Sequence, residues 1–455
     1  KNEAGLSLKF TRINTRGTLE LLGENLIVVL NQTDFRSGRF ENETLAMNLG
    51  GTQMSNTKLV GSLIRFESLS TKTLGGTLNL KGKINREGAG SLKLSGSYNF
   101  PQNAWPEKLD PLDFDTPNVN GWININGNFD SPTIQLNTKF GPVEAYDYAL
   151  TSGNAKIKVD SNLVRITELE AKLAAGGTIQ GNLDYAINEK QVTLDNQLSG
   201  IPLRALVPGT TLAKKLKGAV RGKVNASVNL KGAAPIIEAS YQLTTRNFVM
   251  APLQLPPITR LKGKIVLKGK SLTLRQNKIS AENLALSLNG RINLQRETLN
   301  LNTVLESSRI KELVDQFPED MVLGNTKTTG TVTGTFDDYV YSGDVHVAAV
   351  EYSDFPVSEI STSVTVTPQQ VHLPELTAEV AGGVCNLNLT VDLSHETEIG
   401  LSGQGELREV QLASVEQVQP ENSPLTGAVS AEFHIGGTTD KPEVQFEIQG
   451  EALQT

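Results

Sequence analysis

A repeat of about 103 residues constrains this chain more than any other feature of its sequence. The repeated unit reads as a glycine-led strand, a turn that contains glycine and proline, and a second strand. Its opening glycines are Gly121, Gly222 and Gly427, and its turn prolines are Pro132, Pro235 and Pro442. The prolines lie 103 and then 207 residues apart, which is one period followed by two. The missing copy is expected near position 339, where the segment from Gly330 keeps the turn and lacks the proline. Such a period predicts a repeat architecture.

Two further landmarks follow the same period. Strands that open with two glycines recur at Gly76, Gly177 and Gly383, at steps of 101 and 206 residues. A short helical phrase precedes a glycine-led strand at residues 201–218, 307–324 and 408–427. We therefore expect residues 1–16 to end a preceding repeat, units one to four to span residues 17–118, 119–217, 218–328 and 329–425, and residues 426–455 to start a fifth.

Strict alternation of apolar and polar residues dominates inside each unit. This is the period of a strand with one buried and one solvated face, and it predicts an antiparallel meander. The residues expected to line the apolar face are Leu78, Leu80, Leu92, Leu94, Ile123, Ile125, Ile134, Leu136, Ile157, Val159, Leu284, Leu286, Leu288, Leu299, Leu301, Val364, Val366, Leu387, Leu389, Val391, Val444, Phe446 and Ile448.

The composition favours a thin β structure over a packed globule. Apolar residues make up 38% of the chain, whereas typical globular domains reach about 45–50% with glycine included. The alternating positions hold leucine, valine and isoleucine with few large aromatics. In a β-sandwich the two sheets pack about 10 Å apart, and bulky side chains fill the space between them. These apolar positions therefore favour a face that is lined but not filled. The expected fold is therefore all-β, an elongated repeat of antiparallel sheet that forms a curved apolar groove. We expect few polar residues on its inner face and short helices between the units.

The helical phrases are expected to cover the open side of this groove. In the second phrase Ser307 or Ser308 can cap a helix over residues 309–317, whose apolar residues share one face. For the first phrase, binding to a membrane surface stays open as an alternative. The lysines concerned are Lys214, Lys215 and Lys217.

No catalytic, metal or cofactor site is predicted, and we do not expect an enzyme. The histidines His346, His372, His395 and His434 occur without metal-ligand spacing, and the sequence holds no nucleophile elbow or phosphate-binding loop. The single cysteine, Cys385, is in register with Leu387 and Leu389, so it is expected to act as a small hydrophobe. A net charge of −7 does not indicate the basic surface that nucleic-acid binding needs, so no nucleic-acid partner is expected. The longest aliphatic run, residues 26–30, is far shorter than a membrane-spanning helix needs.

Taken together, the glycine-led strand with its proline turn, the double-glycine strands and the short helix before each unit resemble the AsmA-like superfamily. The double-glycine strands read LGGTLNLKG, AAGGTIQGNL and AGGVCNLNL. The nearest type is TamB, the translocation and assembly module, and the resemblance covers nearly the whole chain. Neither the inner-membrane anchor nor the C-terminal segment of that type is evident, so we expect a fragment from the middle of a longer protein.

The resemblance implies a long β-taco groove with an apolar interior, in the periplasm of a diderm bacterium. The implied function is bridge-like transport of phospholipids between the inner and outer membranes, in support of outer-membrane biogenesis. Implied partners are phospholipids, the inner membrane through an anchor outside this sequence, and a BamA-like outer-membrane protein. Two other classes stay open: a scaffold for outer-membrane proteins that acts by β-augmentation, and an adhesin or carbohydrate-active solenoid. The last would need aromatic platforms, and only Trp105 and Trp122 are present.

Overall fold

The computed structural model of the chain describes residues 7–22, 25–41, 46–102, 117–145, 148–206, 214, 216–232, 234–250, 258–308, 321–352, 355–394, 399–415, 426–439 and 441–454. The chain divides into two compact units. The first comprises Lys1–Lys214 and Ala219–Pro235, and the second comprises Lys215–Gly218 and Ile236–Thr455.

The described residues of the first unit lie mainly in strands, with a short 3₁₀ helix at Leu203–Leu206 and one helical residue at Lys214. Its strands are β1 (Ser7–Leu22), β2 (Asn25–Glu41), β3 (Ala46–Val60), β4 (Leu63–Thr73), β5 (Gly76–Asn85), β6 (Ser91–Phe100), β7 (Val119–Gly127), β8 (Pro132–Phe140), β9 (Val143–Ala145), β10 (Tyr148–Val159), β11 (Leu163–Leu173), β12 (Thr178–Ala186), β13 (Gln191–Pro202) and most of β14 (Leu216–Asn229).

The described residues of the second unit also lie mainly in strands, with a 3₁₀ helix at Leu412–Ser414. Its strands are β15 (Ile236–Met250), β16 (Arg260–Lys268), β17 (Ser271–Ser280), β18 (Leu284–Asn293), β19 (Thr298–Ser307), β20 (Met321–Leu323), β21 (Thr326–Thr335), β22 (Tyr339–Tyr352), β23 (Phe355–Val366), β24 (Gln370–Val380), β25 (Gly383–Asp392), β26 (Gly400–Gln411), β27 (Thr426–Gly437) and β28 (Pro442–Gln454).

In both units the strands form antiparallel meanders. In the first unit each strand pairs with the next in sequence from β1 to β8, then β8 pairs with β10, and the meander continues to β14. In the second unit β15 to β19 pair in order, β19 pairs with β21, and the order continues to β28. The short strands β9 and β20 extend the pairing of β10 and β22. The all-β, antiparallel class predicted from the alternation is confirmed.

One strand with a β-bulge near its middle recurs inside both units. It is β4 and β11 in the first unit and β17 and β24 in the second, and the four strands begin 100, 108 and 99 residues apart. The bulges shift the register between Phe66 and Leu69, between Ile166 and Leu169, between Leu274 and Asn277, and between Leu373 and Leu376. A bulge bends its strand and increases the local twist. The repeat therefore has a structural counterpart, while the unit boundaries given above stay predictions.

The expected helices between units have a partial counterpart. In the first phrase the structure describes a 3₁₀ turn at Leu203–Leu206 and one helical residue, Lys214, whereas Lys217 lies in β14. The described part of the third phrase contains a 3₁₀ turn at Leu412–Ser414. Leu203 and Ile201 are buried, the latter opposite Val220 on β14, so this turn closes a small apolar cluster at the strand end. The helix predicted over residues 309–317 lies outside the described residues, as does Lys215.

Candidate functional site: an uncharged sheet face

In the first unit, the ten residues predicted to line a groove all lie on one face of the sheet. Residues directly opposite each other in an antiparallel pair point to the same side. One row runs from Leu80 through Gly96, Ile123 and Leu136 to Ile157. The neighbouring row holds Leu94, Ile125, Ile134 and Val159, and Leu78 and Leu92 are in the same register. We call this side, from β4 to β14, the apolar face of the first unit.

In the second unit, the thirteen predicted residues likewise share one face, the apolar face of the second unit, from β15 to β28. Leu286 lies opposite Leu305 on the neighbouring strand, and Leu301 lies opposite Val332. The register then passes through Tyr341 to Val366 and on to Val391. The remaining predicted residues on this face are Leu284, Leu288, Leu299, Val364, Leu387, Leu389, Val444, Phe446 and Ile448.

Charge is what separates the two sides of each sheet. Along β4–β14 and β15–β28, none of the described residues in the register of the apolar face is a Lys, Arg, Asp or Glu. In these described strands the charged side chains are confined to the opposite side, here called the polar face, and to the turns, although one residue in five of the chain is charged. Lys81, Lys83 and Lys93 on β5 and β6 are examples, and all three are exposed.

The apolar face is bent sharply around glycines. A Cβ atom built on Gly96 would lie 1.8 Å from the carbonyl oxygen of Asn79, and one on Gly121 would lie 2.0 Å from that of Asn137. The neighbouring strand therefore crosses too close for any side chain at these two positions. Tyr98 and Thr138 on the same face are only 7% and 6% exposed, and the strands that carry them make their main described contacts with the strands they pair with. Side chains of the same sheet must cover them, so this face is locally concave.

Polar groups on the apolar face contradict the expectation of few polar residues there. They are mainly threonines, tyrosines and asparagines. Several pair with each other across strands, and others, such as Thr73 and Thr303, donate to backbone carbonyl oxygens. The Tyr98 hydroxyl lies 2.6 Å from Thr138 Oγ1, and Tyr241 donates to Asn277 Oδ1 at 2.6 Å. Further pairs are Thr52 with Thr71 at 2.7 Å and Thr328 with Tyr341. Pairing satisfies a buried hydroxyl internally, so the face stays uncharged and largely without free polar groups. Among the described residues, three buried side-chain oxygen atoms have no protein partner: Thr57 Oγ1, Asn196 Oδ1 and, on β2, Asp34 Oδ1.

The outermost strand of the second unit leaves its part of the face open. Val444, Phe446 and Ile448 on β28 are 52%, 65% and 57% exposed, whereas inner-strand residues of the same face, such as Leu286 and Leu387, are half-buried. Inner strands have neighbours on both sides that shield their side chains, and β28 pairs with β27 alone among the described strands. These three residues are therefore the most accessible of the predicted set.

The groups considered for chemistry are dispersed. His346, His372 and His434 lie on the polar face, and His395 lies outside the described residues. Cys385 lies on the apolar face opposite Ala378 and Leu407, and burial raises the pKa of its thiol. In the described ranges no three His, Cys, Asp or Glu side chains come together as a metal site. No helix in this part of the chain is long and apolar enough to cross a membrane.

Comparison with family models finds no match for this chain, and comparison with curated proteins finds no significant relative.

Proposed function

We propose that the apolar faces bind the acyl chains of phospholipids and guide them along the sheet, as part of a bridge between two membranes. The supporting observation is the uncharged register across the described strands of both units. Exposing one acyl CH₂ to water costs about 0.8 kcal/mol, so a 16-carbon chain costs about 13 kcal/mol. A face without charges offsets most of this cost at every position, and the headgroup stays in water at the edge of the sheet.

In the described strands the apolar side chains lie on an open face, which fits transport better than storage. The apolar side chains on the inner strands are half-buried and similar in kind, so no position is favoured strongly over the next. A lipid held by equal neighbouring contacts can move without a large barrier. The periplasmic location, the inner-membrane anchor and a BamA-like partner belong to this proposal through the AsmA-like resemblance. The alternative, a scaffold that offers strand edges to outer-membrane proteins, needs the edges of the sheet and leaves its apolar face without a role.

Site-specific crosslinking tests lipid binding at this face. A photo-crosslinking residue at Leu288, on the apolar face opposite Thr303, should capture phospholipid in cells that contain the full-length protein. The matched control is Asn300 on the polar face of β19, which is exposed and opposite Arg291. Asn289 is a poorer control because its Oδ1 accepts a hydrogen bond from the Gln276 amide at the bulge. Equal labelling at Leu288 and Asn300, or none at either, would contradict the proposal and favour the scaffold.

A further inference from the structure

Basic and acidic residues are strongly segregated along the sequence of the second unit. The net charge of the whole chain does not reveal this segregation. Residues 258–296 hold nine Lys and Arg and one acidic residue, Glu282. Residues 337–455 hold twenty Asp and Glu against two basic residues, Arg408 and Lys441. No Lys or Arg occurs between Lys327 and Arg408. The first segment covers β16–β18 and the second covers β22–β28, so one sheet carries a basic end and an acidic end.

The basic end presents its cations in opposed pairs on the polar face. Lys262 on β16 lies directly opposite Lys278 on β17, and Lys264 lies opposite Arg275. All four are exposed, and none forms an ion pair with any residue that the structure describes. Like charges directly opposite each other destabilise a sheet. Repulsion between these opposed cations thus destabilises the sheet, and an anionic partner would remove that repulsion.

The acidic end mirrors this arrangement on the same polar face. Glu406, Glu432 and Glu447 lie opposite one another on β26, β27 and β28. Only Glu406 has a cationic partner among the described residues, Arg408 at 2.8 Å. Two open clefts lie here: one of about 570 Å³ lined in part by Glu375, Glu406 and Glu432, and one of about 320 Å³ that reaches Glu447. Clefts lined by carboxylates suit the long side chains of Lys and Arg.

We infer that the polar face of the second unit is a self-complementary interface that pairs two copies of this chain. A twofold axis makes residue i of one copy contact residue j of its partner, and j contact i. With two polar faces antiparallel to each other, β16–β18 of each copy meets the acidic strands of the other. Both charge blocks are then matched in one symmetric contact, and the apolar faces stay free.

The available area is sufficient for a stable contact. Three strands spaced about 4.8 Å apart and ten residues long cover roughly 480 Å² of face. Two such patches give each partner roughly 950 Å², close to the about 800 Å² per partner of a standard interface. The contact is electrostatic, so it should weaken steeply as salt shortens the Debye length from roughly 20 Å at about 20 mM to roughly 4 Å at about 500 mM. This inference is independent of the proposed lipid function.

Sedimentation velocity on the full chain with charge-reversed variants tests it. The wild-type chain should be a dimer in about 20 mM salt and dissociate by at least about tenfold in affinity in about 500 mM salt. The variants Lys262→Glu/Lys278→Glu and Glu432→Lys/Glu447→Lys should each be monomeric, because each brings like charges together. An equimolar mixture of the two should form a heterodimer, because the reversed patches again match. Lys83→Glu/Lys93→Glu in the first unit makes the same charge change on an opposed pair and should leave the dimer intact.

Circular dichroism confirms that each variant is folded, so that loss of the dimer is not loss of the sheet. A wild-type monomer at low salt would overturn the inference, and so would a mixture of the two variants that stays monomeric while both are folded. A chain that is monomeric but binds anionic phospholipid vesicles through Lys262 and Lys278 would also overturn it, and would make this patch a membrane contact. Recovery of the dimer only in the mixture supports the inference, since no other partner requires both reversals.

Discussion

At the residue scale, glycine sets how tightly the sheet bends. Gly96 and Gly121 occupy apolar-face positions where a Cβ would meet a backbone oxygen of the neighbouring strand at 1.8 Å and 2.0 Å. In sequence these glycines read as interruptions of the apolar alternation. In the structure they are the sites that let neighbouring strands approach and make the face concave. Their high number thus serves curvature as well as turns.

Replacing Gly121 with alanine should therefore destabilise the first unit. The added methyl group would clash with backbone atoms of the neighbouring strand. Overpacking of this kind costs about 1–3 kcal/mol. The control is Gly51→Ala, because no heavy atom lies within 4 Å of a Cβ built there. Urea unfolding should show a lower midpoint concentration for Gly121→Ala than for the wild type. The midpoint for Gly51→Ala should be almost the same as that of the wild type. Equal midpoints would mean that the close approach is not a constraint on folding.

The paired hydroxyls are a second residue-scale feature of the apolar face. Tyr98→Phe removes one partner of the 2.6 Å bond and leaves the Thr138 hydroxyl buried without a protein partner. Leaving a buried group unpaired costs about 1–3 kcal/mol, whereas removing both partners can be nearly neutral. We expect Tyr98→Phe to lower the free energy of unfolding and Tyr98→Phe/Thr138→Val to recover much of the loss. A double mutant that is less stable than the sum of both single changes would contradict this account.

The thiol of Cys385 gives a prediction for pH. Burial on the apolar face raises its pKa above the ordinary value of 9.0, because the uncharged thiol is favoured there. For a raised pKa, the stabilisation from keeping the thiol neutral is present below pH 9 and is lost as pH rises through the folded-state pKa. At pH 8 the folded chain should react with iodoacetamide more slowly than the urea-unfolded chain, since the thiolate is the nucleophile. Equal rates would show that Cys385 is exposed.

At the element scale, strand alternation carries most of what the sequence can predict. The pairs Leu78/Leu80 and Leu387/Leu389 alternate with polar residues, and the structure places each pair in a strand with both leucines on one face. The double-glycine motif also marks a strand start: Gly76 and Gly383 open β5 and β25. Turn and strand signals are local, so one sequence suffices to find them.

The bulges and the threonines on the apolar side could not be predicted from the sequence, each for a physical reason. A bulge such as that around Glu168 shifts the pairing register by local backbone geometry, with a φ of 52° at a residue that is not glycine. Alternation alone does not reveal such a shift. Thr52, Thr71 and Thr138 are polar residues on the apolar side of the sheet, and their hydroxyls are satisfied across strands. A long-range partner decides their face, and composition does not identify that partner.

At the scale of the whole molecule, the proposed function makes the two apolar faces act in series. Each unit presents its own uncharged face in the described strands, and the proposal is that a lipid in transit uses both. If so, blocking either unit should abolish transfer, whereas two independent binding faces would each keep about half of it. The distinction can be tested by placing charge on one apolar face at a time.

Ile123→Asp/Leu136→Asp in the first unit and Leu286→Asp/Leu305→Asp in the second each put two opposed carboxylates on the apolar face. Burying an ionised carboxylate costs several kcal/mol, so acyl chains should be excluded there while the half-open face lets the carboxylates reach water. The matched control, Asn300→Asp/Asn302→Asp, places the same charge on the exposed polar side of β19. Lipid transfer between donor and acceptor vesicles, measured with the intact protein, should be lost in either inner variant and normal in the control, with near-native circular dichroism throughout. Folded inner variants that still transfer lipid at the wild-type rate would end the conduit model, because no acyl chain can then be passing these rows.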